Sequence, residues 1–171
     1  MYIGGIDSVH GLDFIIDLAF ELREESIVFD IFGDGKERQR LSKLSNAKKL
    51  SNIIWHGSIT KNEVPSTLFE ANLLLLSTAN VLYGSENKLH EYMASAKPII
   101  IATSGEHNNP LKDVDCGLLI DKENIEESAI KIKNFILKES NKFDILGKNG
   151  QEYVLKNRTI NVLVDKLEVV P

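Results

Sequence analysis

A chain of 171 residues and 19.2 kDa is one domain's worth of polypeptide, and 43% apolar with 26% charged residues is enough to bury a core. Lys and Arg number 20 against 25 Asp and Glu, and the net charge of −5 argues against a nucleic-acid partner held by phosphate neutralisation. The single cysteine, Cys116, excludes an internal disulfide framework and a zinc site built on several thiolates.

The first apolar run, Tyr2-Ile3, opens without the basic and long apolar regions of a signal peptide. Further short runs follow at 27–32, 52–55, 73–76, 98–102 and 117–120, each bounded by Gly, Asp, Ser or Asn, as buried strands are. None approaches the roughly 20 residues needed to cross a bilayer. These features predict a soluble chain of a reducing, cytoplasmic compartment. Between the runs the spacing turns helical. Leu12, Ile15, Ile16, Ala19 and Leu22 share one face of a helix starting near Gly11, and Leu41 and Leu44 mark a weaker helix after Gly35. Thr60 and Glu63 have capping-box spacing ahead of Leu68, Phe69 and Ala71, with Pro65 expected to kink or restart that helix. A helix entered near Ser85 or Asn87 ends before Pro98. Asn124 with Glu127 repeats the capping pattern before Ile125, Ala129, Ile132 and Ile136. The tail reads as helical over about 140–168, interrupted near Asn157, with Thr159 capping a last short helix.

Strand and helix alternating about six times predict an α/β fold, a Rossmann-like doubly wound parallel sheet of about six strands with helices on both faces. Residues 1–171 read as one domain without repeat, low-complexity tract or linker. A chain that starts inside its own first core strand is expected to be a fragment whose other part lay upstream.

In such a sheet ligands bind beyond the carboxyl ends of the strands. The first strand is followed by Gly4-Gly5 and then His10-Gly11, the second by Gly33-Asp34-Gly35, the third by Gly57-Ser58-Ile59. Glycine loops running into helices let backbone N–H groups approach an anion, although ordinary strand-to-helix turns use glycine too. In the helix near Asn87, Lys88 and Glu91 stand three apart on one face, while Leu89, Tyr92 and Met93 supply the packing face. A carboxylate there can accept two ribose hydroxyls and a lysine can hold a diphosphate; the same pair also suits a solvated helix surface.

Lys88-Leu89-His90-Glu91-Tyr92-Met93-Ala94, followed by Lys97-Pro98-Ile99-Ile100, resembles the donor-site signature of family 4 (group 1) GT-B glycosyltransferases, closest to their bacterial capsule, O-antigen and exopolysaccharide branch. Tyr2-Ile3-Gly4 with His10-Gly11-Leu12, Ile31-Phe32-Gly33-Asp34-Gly35, Asn52-Ile53-Ile54-Trp55-His56-Gly57 and Gly117-Leu118-Leu119-Ile120 resemble the family's other strands and loops in order. The resemblance implies one half of a GT-B fold, the donor-nucleotide half of a retaining enzyme, with the N-terminal acceptor domain absent. It implies a nucleotide sugar as substrate, UDP first, and a saccharide or lipid-linked acceptor in capsule or lipopolysaccharide synthesis. No metal or other cofactor, nucleic acid or direct membrane insertion is implied. Lys88 and Glu91 would carry catalysis, with Gly4, Gly5, His10, Gly33, Gly57, Ile59 and Asn87 completing the donor site. Glu91 would bind the ribose, Lys88 the diphosphate, and Gly57 to Ile59 the base. Two departures stand out. The family's first glutamate falls at Tyr83, and its basic pair in the first loop falls at Gly5 and His10. His10 could lend partial charge below neutral pH; otherwise the charge rests on Lys88. Half an enzyme should bind a nucleotide without turning over by itself.

Other residues suit blander roles. His56, His90 and His107 lack metal-ligand spacing, Cys116 and Trp55 suit the core, Ser104-Gly105-Glu106 suits an ordinary turn and a family-like place near the donor equally, and the Lys/Glu-rich stretch 122–142 suits a solvated helix face. A non-catalytic nucleotide-sugar-binding module that works with a separately encoded partner subunit is the rival function. A phosphate-accepting receiver domain lacks its acidic pair after the first strand, and a Gly-x-Ser-x-Gly hydrolase turn is absent.

Overall fold

The central apolar runs, over 74–77 and 99–103, become strands buried on both sides, which a short β-branched or leucine-rich segment satisfies and an amphipathic one does not. The computed structural model describes residues 1–77, 86–104, 111 and 114–158. These residues form β1 (Tyr2–Ile3), α1 (Asp13–Glu21), β2 (Phe29–Phe32), α2 (Arg38–Ala47), β3 (Ile53–Gly57), α3 (Val64–Glu70), β4 (Leu74–Ser77), α4 (Glu86–Ala94), β5 (Ile99–Thr103), β6 (Gly117–Asp121), α5 (Ile125–Glu139) and α6 (Phe143–Asn157). Two parallel three-stranded sheets, ordered β1-β2-β3 and β4-β5-β6, meet at β1 and β4. There Leu75 N donates to Met1 O at 2.8 Å and the Met1 amine to Leu73 O at 2.8 Å. The order is therefore 3-2-1-4-5-6, the doubly wound arrangement expected, with the switch point between β1 and β4.

Alternate residues of the central strands feed two cores. Leu75, Ile100 and Ala102 pack with α1 and α5, while Leu74, Leu76, Ile99 and Ile101 pack with α3, α4 and α6. Each leucine or isoleucine among them contributes about 1.5–3 kcal/mol when fully buried.

Several boundaries shift for physical reasons. Strand β2 begins at Phe29 rather than residue 27, because Ile27 N turns back to Glu25 O and Val28 is exposed. Strand β3 runs on to Gly57 through an irregularity that pairs Ile31 with Trp55 but Phe32 with Gly57. The residue passed over, His56, stacks on Phe32 at 4.1 Å and meets Asp30 at 2.7 Å, a packing role. Helix α1 starts at Asp13, after a 3-10 turn over Ser8–His10 that Gly11 ends in the left-handed region. Glu63 does accept from Thr60 N at 2.7 Å, but the pair closes the turn before α3; Pro65 sits in its first turn, where no donor is needed, so no kink arises. Asn124 caps α5 as expected, accepting from Glu127 N. Helix α6 runs unbroken to Asn157, and Thr159 lies outside the described residues.

Helix α6 fixes where α4 ends. A Cβ on Gly147 would overlap the Ala96 carbonyl, and one on Gly150 would stand 3.2 Å from the Cys116 Cβ and 3.4 Å from the Met93 Cγ. Cys116 is buried as a small apolar residue, its thiol pushed up to about 12 mainly by burial. Trp55 likewise packs inward and donates to Ser45 Oγ at 3.2 Å. No described helix is long and apolar enough to cross a membrane.

Candidate functional site

Two glycine-bearing loops are sewn together at the carboxyl ends of β1 and β2. Gly4 N donates to Phe32 O and Ile6 N to Asp34 O, both at 2.9 Å, and Glu37 N returns to Ile6 O at 2.9 Å. Ile6 is fully buried beneath them as their floor. Tyr2 Oη donates to Gly5 O at 2.7 Å, and Asp7 Oδ1 accepts from Lys36 N at 3.0 Å. Gly33, at φ 137, has its missing side chain against the Gly4 carbonyl, and Gly33 N donates to Gly57 O at 2.7 Å. Gly33 is thus demanded by the packing of one loop on another, whatever the crevice binds.

Helix α4 docks on this floor through a buried side chain. Tyr92 Oη accepts from Ile3 N at 2.9 Å and donates to Ile3 O at 3.2 Å, while Leu89 and Met93 are buried beside it. The docking turns the other face of α4 toward the loops. Lys88 folds over Gly4, where any Cβ would overlap its Nζ, and its ammonium stands 5.3 Å from the centre of the Tyr2 ring. Burial lowers its proton affinity, and Glu91 one turn away partly restores it. Glu91 itself is exposed, as is Asn87 on the first turn. His90, beside them, is half-buried.

Two hollows adjoin at Val64. A crevice of about 270 Å³ is lined by Gly4, Gly5, Gly33, Asp34, Ser58 and Ile59. A wider groove of about 640 Å³ between α3 and α4 is lined by Lys61, Leu68, Phe69 and Glu91. Gly4, Gly5, Gly33 and Ile59 therefore lie together, with Lys88 over Gly4 and Glu91 at the second hollow. Gly57 lies beneath, at φ 83, bonded through its carbonyl. Tyr83, Gly105, Glu106 and His107 lie outside the described residues.

His10 closes the loop with its ring against Gly5, 3.1 Å from where a Cβ would stand. Its Nδ1 is buried and has no hydrogen-bond partner among the described residues. Burial first, then the neighbouring Lys88 charge, pull its pKa below the ordinary 6.5, with Asp7 opposing. At neutral pH His10 is an uncharged hydrogen-bonding group, so the positive charge expected of this loop is not its own.

One residue was misread in the sequence. Lys131 and Lys142 are exposed and pair with Glu127 and Glu139, as a solvated stretch should. Lys122 is placed differently. It sits directly after β6, half-buried, with its Nζ 3.3 Å from Ser77 Oγ at the end of β4 and 5.7 Å from the Phe14 ring centre. A lysine just beyond a strand's carboxyl end was the available signal, since that edge is where such sheets hold ligands.

The arrangement separates two chemistries. A cation over side-chain-free backbone suits an anion with several oxygens, and a carboxylate beside an open groove suits paired hydroxyls. Among the described residues no three His, Cys, Asp or Glu side chains gather as a metal site needs.

Comparison with known proteins shows the family and the fold. The family described as Glycosyl transferases group 1 matches residues 1–138. An uncharacterized glycosyltransferase of Methanocaldococcus jannaschii, MJ1178, is 27% identical over 156 residues, covering 91% of this chain and 43% of its own length. The crystal structure of HepE from Anabaena in complex with UDP superposes with a TM-score of 0.74 at 18% identity, covering 98% of this chain and 46% of that one. The C-terminal domain of LpcC, a group 1 glycosyl transferase from Francisella tularensis, superposes at 0.74 with 22% identity, covering 93% of this chain and 85% of that one. The chain thus spans less than half the length of the first two proteins, and most of the third, which is itself a C-terminal domain.

Proposed function

Because the chain belongs to the glycosyl transferases of group 1, we propose that its crevice binds a sugar carried on a nucleoside diphosphate, the donor of a retaining glycosyl transfer. The observation that carries this reading is the Lys88 ammonium folded over the bare Gly4 backbone, with the Glu91 carboxylate one turn further along α4 beside the wider groove. Lys88 takes the diphosphate and stabilises its charge as it leaves, work that preorganised cations do well away from bulk water. Glu91 accepts the ribose hydroxyls, Gly57, Ser58 and Ile59 flank the base, and Gly4, Gly5, His10 and Asn87 border the phosphates and sugar. No metal is needed for this chemistry. UDP is the first nucleotide to test, since HepE was solved with it.

Residues 1–171 act as one donor domain, and the acceptor site with the rest of the catalytic apparatus belongs to a second, N-terminal unit. The acceptor is a saccharide or a lipid-linked saccharide of capsule or lipopolysaccharide synthesis at the cytoplasmic side of the membrane. Alone, the 171-residue chain binds the donor without turnover.

A thermal-shift panel of UDP, GDP, ADP and CMP, followed by calorimetry, tests the reading. A ligand at a hundred times its Kd adds about 2.7 kcal/mol, and about 2–4 °C per kcal/mol makes that visible in a domain of this size. One diphosphate is expected to shift the melt. Glu91→Ala should weaken nucleoside and diphosphate alike, and Lys88→Gln the diphosphate far more. No shift with any nucleotide, or an unchanged Glu91→Ala, would refute the assignment.

A further inference from the structure

The β1–α1 loop carries no cation of its own at neutral pH, because Gly5 has no side chain and His10 is held neutral. A diphosphate brings two or more negative charges, and Lys88 answers one of them. We propose that Lys122 is the second phosphate-binding cation of the crevice, delivered to the β1–α1 loop from the end of β6. The inference rests on the nucleoside-diphosphate reading above.

Strand β6 is two positions from the switch point, yet Lys122 reaches it. Its N–H donates to Thr103 O at 2.9 Å, which holds its backbone at the carboxyl edge beside β5. From there the side chain passes over β5, and its Nζ stops 3.3 Å from Ser77 Oγ. Ser77 Oγ in turn donates to His10 O at 2.6 Å, so the ammonium is tied through one hydroxyl to the loop. The same Nζ lies 3.9 Å from where a Cβ on Gly11 would stand. Lys88 bears on the opening of that loop at Gly4 and Lys122 on its end at Gly11. The two cations thus bracket it.

Burial costs the charged form of Lys122, and its proton affinity is lowered for that reason, with Glu123 opposing. It stands close to the start of α1 and just ahead of α5, and both helix beginnings favour anions over cations. A bound diphosphate reverses each of these penalties, and the flexible four-carbon stem lets the ammonium move from Ser77 onto a phosphate oxygen.

Calorimetric titration of the 171-residue chain with UDP, UMP and uridine, and with inorganic pyrophosphate as a base-independent probe, tests the inference. Lys122→Gln should weaken UDP about tenfold, a charge-assisted contact's worth, and weaken uridine less than about twofold, while Lys122→Arg retains most UDP affinity. Lys122→Met, which keeps the aliphatic stem, carries the comparison if Lys122→Gln loses its cooperative melt. Equal losses for UDP and uridine would mean a structural role, and undiminished UDP binding would mean none; either overturns the inference. If the parent chain binds neither UDP nor pyrophosphate, the donor-site reading itself fails and takes this one with it.

Discussion

Gly4 and Gly33 touch one another, yet a methyl group on one should cost mainly binding and on the other mainly stability. On Gly4 the new Cβ overlaps the Lys88 Nζ and stands 2.9 Å from Tyr2 Oη. The ammonium is the far end of a flexible chain and can swing into water, so the main cost is a few tenths of an ångström at Tyr2. We expect Gly4→Ala to lose about 1 kcal/mol, or about 2–4 °C of Tm. The displaced ammonium no longer faces the crevice, and losing a charge-assisted contact of about 1.5–3 kcal/mol weakens UDP by roughly 10- to 100-fold. On Gly33 the Cβ overlaps the Gly4 carbonyl, which is backbone, and the residue is at φ 137, a conformation L-residues rarely adopt. Gly33→Ala should therefore cost about 3 kcal/mol or more, with Tm falling by upwards of about 6 °C. Thermal melts and UDP titrations of the two variants settle the matter. The reasoning is refuted if Gly4→Ala melts as low as Gly33→Ala, or if Gly4→Ala binds UDP like the parent.

Tyr92→Phe removes a hydroxyl that both accepts from and donates to the Ile3 backbone, so about 1–3 kcal/mol should be lost; chemical denaturation measures it, and an unchanged midpoint would show α4 held by packing alone. His10 titrates below 6.5 in the folded chain, so the folded state binds fewer protons than the unfolded one between those two values, and its contribution to stability rises with pH through that window and levels off above it. A bound diphosphate favours the imidazolium, so UDP should tighten as pH falls from 7 toward 6, with proton uptake seen by calorimetry in buffers of differing ionisation enthalpy. His10→Gln should abolish that uptake, and uptake that persists in the variant would assign it elsewhere.

Much of this was legible along the chain. Runs such as 73–76 and 98–102 declared buried strands by length and composition, and the 3.6-residue spacing of Leu12, Ile15, Ile16 and Ala19 declared the face of α1. The Lys88 and Glu91 pair was visible too, because three residues on a helix set two side chains on one side whatever surrounds them. Such features depend on neighbours in sequence. The roles of Gly33, Tyr92 and Lys122 do not: each depends on a residue far along the chain, brought close by the pairing of strands remote in sequence.

Local periodicity and the alternation of strand and helix were therefore sufficient for the fold class and for the helix that bears the candidate site. Only the tertiary structure decided that Gly33 serves a neighbouring carbonyl, that burial and Lys88 leave His10 uncharged, and that a lysine beyond β6 ends beside a serine at the tip of β4. The reason is that desolvation and charge are properties of a place, and a doubly wound sheet makes that place from strands remote in sequence.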